Sequence, residues 1–246
     1  MQHLRVARFA RRASRQFTRT LIDTVLPPLC PGCDSELQGT RWICGACRRK
    51  FRTVPDRPLC LACRLEERKQ QGREAGLNCR IDEHALWRGR AAFWMEPPLD
   101  HVIHRLKYSG CPDLARPLAR LTARRITAPD VGAILGVPLF QTRQRERGYN
   151  QADLLARELS SIWGVPHIER LLLRQRPTQA QAQLDEEARA RNVVNAFTPL
   201  EPTWVPRRSW LVIDDVLTTG QTLFECLEVL RRTGATRAIP LAVALA

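Results

Sequence analysis

Asp214 and Asp215 stand side by side after the apolar run Trp210-Leu211-Val212-Ile213, and the chain continues through Val216, Leu217, Thr218, Thr219, Gly220, Gln221 and Thr222. Leu223, Leu227 and Leu230 then recur at helical spacing. Strand, acidic pair, small polar turn and helix follow in the order that gathers backbone N–H groups and a helix N-terminus around an anion. Hydroxyls of Thr218, Thr219 and Thr222 add donors, and Gly220 lets the turn approach its ligand closely. A phosphate dianion suits such a turn. Two carboxylates beside it would repel that ligand unless they faced donors, and the vicinal hydroxyls of ribose are donors. Segment 214–222 is therefore expected to hold phosphate and sugar together; a helix-capping turn is the alternative role for the acids.

A second chemistry lies upstream. Seven of the nine cysteines fall between Cys30 and Cys79. Cys30, Cys33, Cys44 and Cys47 form two CxxC turns, each presenting two thiolates on one side, which is the donor set of a tetrahedral structural Zn²⁺. Cys60 and Cys63 form a third turn and Cys79 follows alone, with Asp82 and His84 nearby. Either of these two completes a second zinc site, or that site is degenerate. So local a distribution argues against a disulfide framework. Cys111 and Cys226 are read as packing thiols. His101 and His104 could pair on a helix, but surface or core roles are expected of them.

These groups need elements to hold them. From residue 86 onward apolar strand patterns alternate with helical ones: strand 131–140, helix 152–163, strand 167–173, a long polar segment, strand 210–213, helix 223–232 and strand 238–245. Such alternation predicts an α/β fold with parallel strands, crossover helices, and ligands beyond the carboxyl ends of the strands. The loop after strand 131–140 carries Arg143, Arg145 and Arg147, whose forks suit diphosphate oxygens. Residues 27–84 show little apolar periodicity and need a metal to fold.

Lys and Arg number 39 against 25 Asp and Glu, a formal charge of +14, so an anionic partner is expected. Charge alone does not choose between nucleic acid, lipid and phosphorylated metabolites. Arg5, Arg8, Arg11, Arg12, Arg15 and Arg19 precede the first acid, Asp23. That start reads as a basic amphipathic helix on nucleic acid or an anionic membrane, as a solvated arm, or as a transit peptide. No run of about 18 apolar residues occurs, and the expectation is a cytoplasmic protein with no transmembrane segment.

The segment 210–222 resembles the signature for phosphoribosyl pyrophosphate (PRPP) of type I phosphoribosyltransferases. More narrowly, Leu106-Lys107-Tyr108-Ser109-Gly110, Arg147-Gly148-Tyr149-Asn150-Gln151-Ala152 with Leu154-Leu155-Ala156, Pro177-Thr178-Gln179, residues 189–192 and Ala196-Phe197 resemble the ComF family, which is phosphoribosyltransferase-like and related to competence. The resemblance spans roughly 24–246. It implies a phosphoribosyltransferase-like parallel sheet with flanking helices at 85–246, a small cysteine-rich zinc module at 27–84 and a basic arm at 1–26. It also implies PRPP or ribose phosphate as ligand with Mg²⁺, Lys107, Arg145, Arg147, Asn150 and Gln151 on the pyrophosphate or hood side, and a mobile hood loop over 174–197. Single-stranded DNA and the DNA-uptake machinery are the implied partners. Catalysis stays open: a transferase acting on a nitrogen base or amine, or a DNA-binding adaptor without catalysis, are the rival readings.

Overall fold

The computed structural model describes residues 27–37, 39, 41–77, 79–80, 82–175, 196–200 and 208–246, except for the side chains at 67–71, 73, 82, 83 and 86. The arm 1–26 and residues 176–195 of the expected hood loop lie outside the described residues. Two compact units divide the chain, Met1–Lys50 and Phe51–Ala246.

In the smaller unit the chain folds back on itself through a bridge between Leu29 and Glu36, with Cys30 N donating to Ser35 O and Leu37 N to Pro28 O. The short helix α1, Gly45–Arg49, follows, and Cys44 caps it by accepting from Cys47 N. Among the described residues of this unit the buried hydrophobic side chains are Cys30, Leu37, Ile43 and Cys47, two of which belong to the cysteine group.

The larger unit is built on a five-stranded sheet ordered β1 (Leu59–Cys60), β2 (Arg88–Trp94), β7 (Arg237–Leu245), β6 (Ser209–Leu217) and β3 (Ala133–Gly136). All neighbours pair in parallel except β1 with β2. The remaining elements are α2 (Leu61–Gln71), α3 (Leu99–Tyr108), α4 (Ala115–Arg125), α5 (Gln141–Arg147), α6 (Gln151–Trp163), α7 (Gln221–Arg232) and a two-stranded pair, β4 (Leu172–Arg174) with β5 (Phe197–Pro199). The fold is thus mixed α/β with a mostly parallel sheet. Trp210, Leu211, Val212 and Ile213 of β6 are all buried, as a strand covered on both faces requires. Helix α7 buries Leu223, Cys226, Leu227, Val229 and Leu230, one stripe at helical spacing. Leu59, Leu61 and Leu77 join the same apolar core, so the second cysteine group folds with the sheet.

Three local expectations are corrected. Segment 141–147 is not a loop but the helix α5, closed by Gly148 in the left-handed conformation. Strand 167–173 does not enter the main sheet; His167 only bridges Ile134, and 172–174 pairs with β5. Strand β6 does not stop at Ile213: Asp214, Val216 and Leu217 stay paired with Ala242, Ala244 and Leu245 of β7.

Candidate functional site

Both acids lie inside β6, whose successive side chains leave opposite faces. Asp215 is 3% exposed, and Lys107 Nζ, from the last turn of α3, stands 3.0 Å from its Oδ1. Its Oδ2 is buried and has no hydrogen-bond partner. Asp214 accepts from Asp215 N at 2.8 Å, and its carboxyl is pushed up to about 7, first by burial and then by the charge of Asp215, against the pull of Lys107. Arg174 on β4 and Glu225 on α7 share its electrostatic surroundings. Burial also raises Glu225 to about 7, although Gln221 Nε2 donates to its Oε1 at 2.9 Å. Arg174 is held below the usual arginine range by burial.

Beyond the strand the turn Thr218-Thr219-Gly220 leads into α7. Gly220 has φ +91, a conformation that costs a residue with a Cβ, and caps the helix without a side chain. Gln221 N is 3.4 Å from Thr219 Oγ1. The first-turn N–H groups of α7 have no carbonyl partner within the helix and open onto a concavity lined by Asp214, Val216 to Gly220, Gln221 and Thr222. Asp214 and residues 216–222 thus come together around one small anion-sized hollow, with the helix N-terminus favouring negative charge, whereas Asp215 lies outside its lining.

A second cavity of about 380 Å³ is lined by Lys107, Tyr108, Gly110, Arg143, Glu146 and Arg147. Arg147 lies over the Tyr108 ring at 4.7 Å and donates to Gln151 Oε1 at 2.9 Å. Arg145 is exposed and outside this lining, whereas Arg143 is part of it. Asn150 does structural work: its Oδ1 caps α6 by accepting from Ala152 N and Asp153 N, and its Nδ2 donates to Val137 O at 2.9 Å. Gln151 is buried, and Tyr149 Oη donates to Leu106 O at 2.6 Å, tying this segment to α3. The stretch 147–152 therefore holds α3 and α6 in place as much as it faces the cavity.

Each cysteine cluster gathers four ligand atoms within 4.8 Å of one another: Cys30, Cys33, Cys44 and Cys47, and Cys60, Cys63, Cys79 and His84. Tetrahedral Zn–S bonds of about 2.3 Å place sulfurs about 3.8 Å apart, and Cys33 and Cys44 Sγ stand 3.7 Å apart. Cys47 N–H, donating to Cys44 Sγ, brings that thiol down to about 6, toward the thiolate a metal needs. In the second cluster His84 Nδ1 lies 3.6, 3.3 and 3.8 Å from Cys60, Cys63 and Cys79 Sγ. About 3.6 Å is what one Zn–N and one Zn–S bond impose in a tetrahedron. Of the two sequence candidates His84 occupies the fourth position; the Asp82 side chain lies outside the described residues. His101 sits beside Asp100 and His104 against Tyr108, and neither belongs to a metal-competent group among the described residues.

Sequence reasoning missed Arg64, Glu225 and the site role of Arg174. The i, i+4 pair of Gln221 and Glu225, on a helix that opens at the turn, was the available signal for Glu225; Arg64 had none, because an arginine in a charged stretch reads as solvated.

Among the described residues no helix is long and apolar enough to cross a membrane. Residues 21–80 match the family model described as a double zinc ribbon domain, which with the two clusters supports structural zinc. The DNA utilization protein YhgH of Escherichia coli strain K12 is 40% identical over 148 residues, covering 56% of this chain and 63% of that protein. This match spans less than two thirds of the relative's length. Adenine phosphoribosyltransferase from Leishmania tarentolae aligns at a TM-score of 0.35 and 18% identity over 55% of this chain and 59% of that one, a score from which nothing follows for this chain. Competence protein F of Haemophilus influenzae is 30% identical over 208 residues, 84% of this chain and 80% of that protein, and on that extent this chain belongs to the competence protein F, or ComF, family.

Proposed function

We propose that the chain binds PRPP or a related ribose 5-phosphate through the end of β6, the turn 218–220 and the N-terminus of α7, and that it serves DNA uptake or utilisation. The observation that carries the reading is the Asp214-Asp215 pair, Asp215 buried with one carboxylate oxygen left without a partner, set directly before a glycine-capped turn that opens a helix. Amides of the turn and hydroxyls of Thr218, Thr219 and Thr222 take the 5-phosphate. The carboxylates accept from the ribose hydroxyls, and Lys107 holds Asp215 in place through their ion pair. Arg143 and Arg147 border the larger cavity, where a pyrophosphate group finds forked donors. Asp214 and Asp215 would help hold a Mg²⁺ that arrives with the ligand, and the ion would offset the charge of the ligand's oxygens.

The role in DNA uptake or utilisation rests on the names of the relatives, Competence protein F and DNA utilization protein YhgH. The division into an arm 1–26, a zinc module 27–84 and a phosphoribosyltransferase-like domain 85–246 belongs to the same proposal, as does transfer to a nitrogen acceptor. A second reading, a zinc-stabilised adaptor for single-stranded DNA, draws on Tyr108, which is 62% exposed beside Arg147 at a basic cavity. Calorimetric titration with PRPP separates them. Wild type should bind and the Asp214→Ala, Asp215→Ala double variant should not; PRPP binding that survives in the double variant would place the ligand elsewhere. Pyrophosphate released in the presence of candidate bases would identify a transferase.

A further inference from the structure

Arg64 is fully buried, one residue after the metal ligand Cys63 at the start of α2. Its guanidinium reaches three backbone oxygens: Nε donates to Thr218 O at 2.5 Å, Nη1 to Ala75 O at 3.2 Å and Nη2 to the oxygen of Ala246. Thr218 opens the anion turn, and Ala246 N donates to Leu217 O at 3.0 Å, so one side chain ties the ends of β6 and β7 to α2. Leu61 of the same helix packs under the turn, its Cδ2 3.0 Å from where a Cβ on Gly220 would stand.

What fixes α2 is the second cluster. Cys60 and Cys63 bracket its first turn, and Cys63 N–H faces Cys60 Sγ at 3.5 Å. Cys60 N donates to Gly76 O at 3.0 Å, and Gly76, at φ +81, lies so close that a Cβ would stand 2.3 Å from Cys60 O. Cys79 and His84 come from the segment beyond. Without an ion, three thiols and an imidazole have no reason to converge; with one, the root of α2 becomes a rigid point.

We propose that the cluster of Cys60, Cys63, Cys79 and His84 is a metal-dependent support for the anion turn, with Arg64 as the positioning residue that carries its order to Thr218. Leu61 supports Gly220 in the same way. The buried guanidinium also sets a positive charge behind the turn, in surroundings that screen it weakly, which favours an anion in front. The ligand arm of the test rests on the ribose phosphate reading above; the exchange arm does not.

The test uses the full-length zinc-loaded protein and the variants His84→Ala, His84→Cys and Arg64→Met, each followed by elemental zinc analysis, hydrogen exchange without ligand and titration with PRPP. His84→Ala should drop from about two zincs per chain to about one. Amides 218–222 should exchange at least about tenfold faster while those of α6 stay unchanged, and PRPP should bind at least about tenfold more weakly. His84→Cys should restore all three properties. Arg64→Met should keep its zinc and still show the faster exchange and the weaker binding. Unchanged exchange at 218–222 in His84→Ala that has lost its zinc, or in folded Arg64→Met, overturns the proposal. If His84→Ala loses its fold, Arg64→Met decides. If wild type binds no PRPP, the ribose phosphate reading fails and the exchange comparison still decides the role of the metal.

Discussion

Replacing Asp214 by Asn should make the ligand-free protein more stable, increasingly so at higher pH. The carboxyl stands at about 7 against an ordinary 3.8, a rise of about 3 units, or about 4 kcal/mol when fully expressed. The folded value is raised, so this group's contribution to stability is fully present below about pH 4 and is lost as pH climbs through about 7. Between pH 5 and pH 8 about two of those units are traversed. Because Asp214 is only partly buried, half of the ideal figure is the better guide, leaving a gain for Asn over Asp that grows by about 1–3 kcal/mol across that range. In a unit of this size each kcal/mol moves Tm by about 2–4 °C. Asn keeps an oxygen to accept from Asp215 N, so the substitution removes charge rather than a hydrogen bond. Thermal unfolding of both proteins at several pH values measures the effect. A difference in Tm that stays flat, or falls, from pH 5 to pH 8 would show that Asp214 ionises normally. In wild type the same proton should weaken ribose phosphate binding as pH drops below about 7, because the protonated acid is a poorer acceptor.

Cys44→Ser should cost about one zinc per chain by elemental analysis and leave the second cluster loaded; loss of both ions would mean that the clusters are not separate sites. If the arm contacts DNA phosphates, removing residues 1–20 should flatten the slope of log affinity for single-stranded DNA against log salt, and an unchanged slope excludes the arm as a contact. Ribose 5-phosphate should bind about tenfold to hundredfold more tightly than 2-deoxyribose 5-phosphate, the worth of a hydrogen bond to a carboxylate, and equal affinities in wild type would remove the carboxylates from sugar recognition.

The parts of the molecule held by local rules were legible. Two CxxC turns ten residues apart announce a metal whatever surrounds them, and the order of apolar run, acids, glycine turn and leucine stripe locates β6 and α7. The end of β6 was not legible, because two adjacent acids are poor strand formers and only pairing with Ala242, Ala244 and Leu245 on β7 carries the strand to Leu217. Strand β2 was missed because Arg88 and Arg90 mask its pattern, although Ala91 to Trp94 are buried. Segment 167–173 looks like a strand for the same local reasons that β6 does, and only tertiary pairing with β5 sends 172–174 elsewhere. His84 rather than a cysteine completes the second cluster, and spacing alone does not say which way a side chain in a 3₁₀ turn will face.

The same tertiary placement argues for a ribose over a DNA backbone at the acid pair. Asp215 is buried with one oxygen paired to Lys107 and the other unpartnered, and the carboxyl of the half-buried Asp214 is pushed up to about 7 by desolvation and the neighbouring Asp215. Each feature costs stability that the fold could have recovered with an amide or an alkyl side chain. An occupant that repays the cost must bring hydrogen-bond donors to the carboxylates and an anion to the turn a few residues away. A 5-phosphorylated ribose has both, with vicinal hydroxyls at one end of the ring and phosphate at the other. A DNA backbone lacks the 2′-hydroxyl and spends its 3′-oxygen on the next phosphate, so it would bring only negative charge to the two acids. Electrostatics thus favours the proposed free ribose phosphate at the acid pair over a DNA backbone, and on the adaptor reading single-stranded DNA would use basic surfaces away from it, such as the rim at Arg147 and the exposed Tyr108.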